Sequence, residues 1–378
     1  MSVTLCGMRL VTEDDVIEDA IIAIEGERVV GVRRGSRPAG AIDLEGALVM
    51  AGFVDQHCHG GGQGDFFSAD IDQIRTAAAT HLAHGTTTIV ASLVTATTED
   101  LLAQLAALRP TVADGTIAGV HLEGPWISPQ ECGAHDITLL RSPDPAEIET
   151  LLDAAGSDIA MVTLAPELAG GVAATEQFVD AGVVVAVGHT EADLATTRAA
   201  IDSGATVATH LLNRMPVLHK RSPGPVLALM DDPRVVCELI VDGVHIDPEM
   251  VRFVIDHVGP DRVAAVTDAM GAAGAPEGRY KIGYLDVEVA DGQARLTSDG
   301  ALAGSVLTLD TALVNLVTKC GQSLPDATRM LSATPARTMG LTDRGRLAAG
   351  MRADLVVLDD QLSISRVMRA GTWVSGPQ

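Results

Sequence analysis

Two histidines two residues apart, His57 and His59 in GFVDQHCHGG, close an apolar run and are followed at once by glycines. If that run is a strand, alternation turns both imidazoles to one side and Cys58 to the other, as one metal ion needs from two imidazoles. Taken alone, the pair is as well read as the polar end of a strand. Glu123, His189, His210, His245 and Asp268 each sit at or just past the end of a further short apolar run. Singly, each has an ordinary reading as a hydrogen-bonded histidine or a helix-capping carboxylate. Nitrogen and carboxylate donors without thiolate suit Zn²⁺, with Fe²⁺ or Mn²⁺ as alternatives. The set exceeds one tetrahedral shell, which means two metals or one metal with an acid-base group. A carboxylated lysine as bridge is excluded by inventory, because Lys220, Lys281 and Lys319 are the only lysines and none ends such a run. Bridging would fall to Glu123.

The elements that must position these residues are eight short β-branched runs, read at residues 52–59, 86–92, 117–124, 159–167, 182–190, 205–213, 235–245 and 263–270. Between them lie Ala/Leu-rich stretches with helical spacing, among them 71–84, 99–108, 145–155, 191–203 and 248–258. Near-continuous apolar strands alternating with helices predict an α/β protein with a parallel sheet covered on both faces. Eight units predict a (β/α)8 TIM-like barrel, with an open doubly wound sheet as the alternative. In such a barrel the C-terminal strand ends form one mouth, so the polar residues would meet there. That coincidence over several strands favours ligands over chance. Residues 1–50 and 344–378 alternate and turn differently, with a turn at Glu25-Gly26, and predict a small β-sandwich domain built from both termini beside a barrel over 51–343.

The 378 residues are 47% hydrophobic and only 2% aromatic, so the core must be built from Ala, Val, Leu and Ile. A formal charge of −24 repels nucleic acid and anionic membranes, and neither is expected as a partner. The first residues lack a basic segment followed by an apolar run, and no apolar stretch is long enough to span a bilayer. Five scattered cysteines without CxxC spacing argue against disulfides and fit a cytoplasmic protein.

AGFVDQHCHG, VHLEGPWIS, VGHTEA, THLLNRMP, RSPGP, DGVH, VTDAM, LAGS and GRLAAGMRADLVVLD run through nearly the whole chain. With them the sequence resembles the amidohydrolase superfamily and, within it, the N-acetylglucosamine-6-phosphate deacetylases; HLEGP and HLxNxMP are specific to that branch. The resemblance implies hydrolysis of an amino-sugar phosphate acetamide at a divalent metal, Zn²⁺ first, two per subunit. It implies that Glu123, His189 and His210 hold one ion and that His57 and His59, with Glu123 and Asp268, hold a second. Asp268 would be the acid-base group and His135, in CGAHD, the contact to the acetamide carbonyl. Asn213, Arg214, Arg221 and His245 would bind the sugar phosphate, Arg221 reaching across from the other subunit of a homodimer. Trp126 and Cys132 fall in a loop over the mouth, a candidate lid; Cys132 departs from the basic residue common there and reads equally as an inert buried thiol, a lid contact or a redox-sensitive position. His81, His84, His121, His219 and His257 are assigned to structure. The rival readings are another enzyme of the superfamily, acting on a cyclic amide, nucleobase or N-acyl amino acid, and a non-catalytic barrel scaffold.

Overall fold

The structure, a computed structural model, describes residues 2–374. The chain opens with β1 (Ser2–Val11), β2 (Val16–Glu25) and β3 (Arg28–Arg34), then β4 (Ile42–Asp43) and β5 (Leu48–Ala51). Strand β2 turns into β3 through Gly26-Glu27, one residue later than the sequence suggests, with Gly26 at φ +58° supplying the left-handed turn.

The barrel follows. Its strands are β6 (Phe53–Cys58), then, after a two-stranded ladder of β7 (Gly60–Gly61) and β8 (Gly64–Asp65), β9 (Thr86–Leu93), β10 (Val120–Glu123) and β11 (Ile159–Leu164). They continue as β12 (Val184–Val187), β13 (Val207–Ala208), β14 (Val236–Ile240) and β15 (Val263–Val266), parallel throughout and in chain order. Just past the strand ends, Asp268 N donates to His57 O at 2.9 Å and His59 N to Ala269 O at 2.8 Å, which brings β15 back to β6. Every residue of β9 is buried, as a strand covered on both faces requires. All eight runs became strands, seven of them shortened at their C-terminal ends and β9 one residue longer there. Strand β13 keeps only two residues because His210 and Leu212 take positive φ (+28° and +76°) and turn the chain out of the ladder.

The helices lie outside: α1 (Ile71–Ala83), α2 (Thr98–Ala113), α3 (Pro145–Ala155), α4 (Gly171–Asp180), α5 (Leu194–Asp202), α6 (Gly224–Asp231), α7 (Pro248–Val258) and α8 (Leu309–Thr318). Asp70, Thr97 and Asp144 cap the first three with side-chain oxygens. Helix α2 runs past the expected stop at Leu108, because burying Leu101, Leu105, Leu108 and Thr111 on one face outweighs the hydrogen bond that Pro110 removes. Helix α5 begins later than expected because Asp193 caps it, accepting from Thr196 N.

Between β15 and α8 the chain makes an antiparallel sheet that the sequence reading did not contain: β16 (Gly278–Ile282), β17 (Leu285–Ala290) and β18 (Gln293–Leu296). Its signals were present, in alternating burial along β17 and two-residue turns at Gly283-Tyr284 and Asp291-Gly292. Ile282, Val287 and Leu296 pack with Val94 and Met270 beside the barrel mouth. The chain then returns to the first sheet with β19 (Leu355–Leu358), β20 (Ile364–Arg369) and β21 (Thr372–Val374), in the order β21-β20-β19-β5-β1-β2-β3. Val29 N donates to Met351 O and Ala353 N to Glu27 O, so the edge strand β3 folds back onto the segment leading into β19, enclosing Leu5, Ile22, Val49, Leu355 and Met368. Both termini thus share one folded-over sheet and one core. Among the described residues no helix is long and apolar enough to cross a membrane.

Candidate active site

The barrel mouth gathers the residues that the strand ends deliver. Glu123, last residue of β10, is the hub: its Oε1 lies 3.1 Å from His210 Nε2, 3.2 Å from His189 Nε2 and 3.4 Å from His57 Nε2. Its Oε2 lies 3.2 Å from His59 Nε2 and 3.4 Å from His135 Nε2. Asp268 Oδ1 stands 3.2 Å from His59 Nε2 and 3.5 Å from His57 Nε2. All seven residues are buried. His189, His210 and Asp268 take positive φ (+47°, +28° and +47°), where a side chain costs ~1–3 kcal/mol. Each makes the turn that leaves its strand while aiming its side chain back over the barrel axis.

Hydrogen bonds on the far side of three of the rings decide what they present to the centre, whereas the buried Nδ1 of His210 has no partner. His59 Nδ1 faces Ser92 O at 3.2 Å, His189 Nδ1 faces Glu131 O at 2.7 Å, and His57 Nδ1 faces the Glu238 carboxylate at 3.1 Å. These oxygens accept, so Nδ1 carries the proton and Nε2 turns a lone pair inward. The Nε2 atoms of His57 and His59 are 3.2 Å apart, and those of His189 and His210 are 3.0 Å apart. Donor atoms around a tetrahedral ion with 2.0–2.1 Å bonds stand about 3.3 Å apart, so this set fits a metal. His57, His59 and Asp268 form one such group. Glu123 and His189 belong to a second, which His210 adjoins through both of them.

His135 differs, although it lies near enough to Glu123 and His189 to be counted with them. Its Nδ1 accepts from Thr95 N at 3.2 Å and meets Thr95 Oγ1 at 2.9 Å. Its proton therefore sits on Nε2 and points into the site, making His135 a hydrogen-bond donor rather than a ligand.

Electrostatics adds that the carboxylates by themselves draw a second proton to His57 and His59. Burial works against charge on His59, yet Asp268 and Glu123 hold it up at about 9; His57 is raised well above its ordinary value against the same penalty, by Glu123 and Asp268. Burial opposes the ionisation of Glu123 and Asp268, but the surrounding imidazoles, His57 foremost, hold both below the usual carboxylate range. Two buried carboxylates thus draw positive charge to the Nε2 atoms, a demand that a divalent cation meets while releasing protons. His189, pushed down to about 4 by burial, is neutral.

A cavity of about 330 Å³ opens over the cluster, with Val94, Leu212, Ile240, Ile282 and Leu302 on its apolar side and Asn213, Arg214 and His245 on its polar side. Asp242 orients His245, Oδ2 to Nδ1 at 2.7 Å. Arg221 is not there: it is exposed and lines a separate surface cavity with Arg198 and Pro216. The two residues of the candidate lid are placed differently. Trp126 is wholly buried beneath the loop, where its indole packs on Phe178 at 5.3 Å and donates to Glu147, because a ring this large is worth most inside the core. Cys132 is partly exposed and stays off the cavity wall, which its neighbours Glu131 and Gly133 help to form. Ser128 N donates to His189 O while His189 donates to Glu131 O, so this loop is tied to the site.

Sequence reasoning passed over Glu238 and Asp55, two fully buried carboxylates inside barrel strands. The available signal was a charged residue within an apolar strand, as in VVCELIV. Asp55 accepts from Thr267 Oγ1 at 2.6 Å, and burial lifts its carboxyl to about 7. His121, also inside the barrel, keeps its structural role between Ser92 and Thr163.

The amidohydrolase family matches residues 48–374. N-acetylglucosamine-6-phosphate deacetylase of Lysinibacillus sphaericus is 31% identical to this chain, covering 98% of it and 97% of the relative. N-acetylgalactosamine-6-phosphate deacetylase of Escherichia coli O157:H7 is 32% identical over 100% of this chain and 99% of its own. Among solved structures, N-acetyl-D-glucosamine-6-phosphate deacetylase of Mycobacterium smegmatis, an Asp-to-Ala variant in complex with N-acetyl-D-glucosamine-6-phosphate, superposes with a TM-score of 0.96. It has 48% identity, over 98% of this chain and 99% of that one. With metal-competent strand ends at one barrel mouth and relatives that span it end to end, the chain belongs to the amidohydrolase family, in its N-acetylglucosamine-6-phosphate deacetylase branch.

Proposed function

We propose that this protein hydrolyses the acetamide of N-acetyl-D-glucosamine 6-phosphate to D-glucosamine 6-phosphate and acetate. The observation that carries the reading is the contrast among the histidines: lone pairs from His59 and His189 face the cavity, that of His57 faces Glu123 and Asp268 just beneath it, and His135 presents an imidazole N–H. Glu123, His189 and His210 would hold one divalent ion and His57, His59 and Asp268 another, Zn²⁺ by donor type with Fe²⁺ or Mn²⁺ as substitutes. Bound there, a divalent cation supplies Lewis acidity that polarises the amide carbonyl and lowers the pKa of water. His135 Nε2–H donates to the acetamide oxygen and steadies the charge that develops on it. Asp268 takes the proton of the attacking water as its oxygen joins the carbonyl carbon, then hands that proton to the amide nitrogen as the C–N bond breaks.

Acetate release from the phosphorylated sugar, abolished by a chelator and restored by Zn²⁺, is the expected result. A metal-replete protein that releases none defeats the reading. The relative from Escherichia coli favours one competitor, the galactosamine epimer, so kcat/KM is to be compared on both sugars.

Asn213, Arg214 and His245 supply the phosphate side of the cavity within one chain, and Arg221 supports a homodimer. It sits on an exposed loop beside Val217, which is 87% exposed, and away from its own chain's site. Arg221→Ala is expected to raise KM for the phosphorylated sugar at least about tenfold, from a charge-assisted bond of ~1.5–3 kcal/mol, and to spare activity on an unphosphorylated acetamide. Mixing this variant with an Asp268→Asn chain should restore part of the activity; equal losses on both substrates assign Arg221 to structure. The five unpaired cysteines support a cytoplasmic setting.

A further inference from the structure

Glu238, in the middle of β14, lies wholly buried outside the cavity wall. Removing a carboxylate from water costs several kcal/mol unless charge and hydrogen bonds offset it. No arginine or lysine among the described residues reaches it; its one titratable partner is an imidazole. Oε2 lies 3.1 Å from His57 Nδ1 and 3.2 Å from His210 N, and Oε1 accepts from Gln56 Nε2 at 2.8 Å. One oxygen therefore joins the two ligand groups. On one side it fixes the His57 proton on Nδ1 and so frees Nε2. On the other it holds the amide of His210, whose φ of +28° is strained.

We infer that Glu238 is a positioning residue that sets the metal affinity of both ligand groups at once, through the ring of His57 and the backbone of His210. The inference rests on reading the cluster as a metal site. A carboxylate behind a ligating imidazole raises its basicity, and losing such a partner typically costs 10–100-fold in metal affinity.

Glu238→Gln separates charge from shape. Its amide oxygen can still accept from His57 and His210, while Gln56, whose Oε1 has no partner, can flip to accept from the new amide N–H. Zinc titration against a competing chelator, on metal-stripped protein, is the test. The variant is expected to melt within a few degrees of the wild type when metal-free, yet to bind Zn²⁺ about 10–100-fold more weakly. Glu238→Asp, which keeps the charge at a longer reach, should fall between the two, and it carries the test if the Gln variant does not fold. Wild-type affinity in Glu238→Gln, or in Glu238→Asp where only that variant folds, overturns the inference and leaves the metal site standing. A wild-type protein that takes up no divalent metal overturns the metal-site reading and this inference with it.

Discussion

Asp268→Asn is expected to abolish turnover, with a loss of at least ~10²–10⁴-fold, while the fold and most of the affinity for the phosphorylated sugar remain. An amide of the same shape cannot take a proton from water or deliver one to nitrogen, so both transfers fail together. The backbone at this position is pinned independently of the side chain: Asp268 N donates to His57 O, and Ser305 N donates to Asp268 O at 2.7 Å. The residues proposed to take the phosphate, Asn213, Arg214 and His245, line the same cavity and are not touched by the substitution. Because Asp268 Oδ1 is also 3.2 Å from His59 Nε2, metal content must be measured beside the rate. A dead variant that still binds substrate and metal places Asp268 at the proton transfers, and full metal with near-normal kcat removes it.

Glu123→Ala should be equally severe through a different route. Its two oxygens lie 3.1–3.4 Å from five imidazoles, so that one side chain touches both ligand groups and His135. Without it the expected metal content falls for both groups, and the lost Lewis acidity, several kcal/mol at 1.36 kcal/mol per tenfold, lowers kcat/KM by about 10³-fold or more. Paired His57→Ala and His59→Ala substitutions give the control, expected to remove one ion and leave that of Glu123, His189 and His210. Elemental analysis of both proteins decides the matter. Wild-type metal content in Glu123→Ala would strip that residue of its role, and an unchanged stoichiometry in the histidine pair would reduce the site to one ion.

His57 and His59 were legible as a pair because strand alternation is local: two residues apart means one face, whatever the rest of the chain does. The barrel was legible for the same reason, since eight apolar runs alternating with helices leave little choice of architecture. The sheet β16–β18 carried local signals as well, in its Asp-Gly turn, but it lies inside a span already read as barrel. The burial of Trp126 was not legible, because its place just after HLEGP fixes the loop it occupies and not which way the ring points; packing against Phe178 settled that.

Residue types and periods thus determined by themselves that this chain makes a barrel whose strands end in imidazoles and carboxylates. Tertiary structure alone decided what each of those groups can do. The proton of His59 is set by a carbonyl 33 residues away and that of His57 by a carboxylate 181 residues away, while Thr95, 40 residues back, turns His135 from ligand into donor. A ring nitrogen's role depends on the partner of the other nitrogen, and that partner is supplied by neighbouring strands and loops that only barrel closure brings within 3 Å or so. Arg221 is the complementary case, since closure of its own barrel carries it away from the cavity rather than into it.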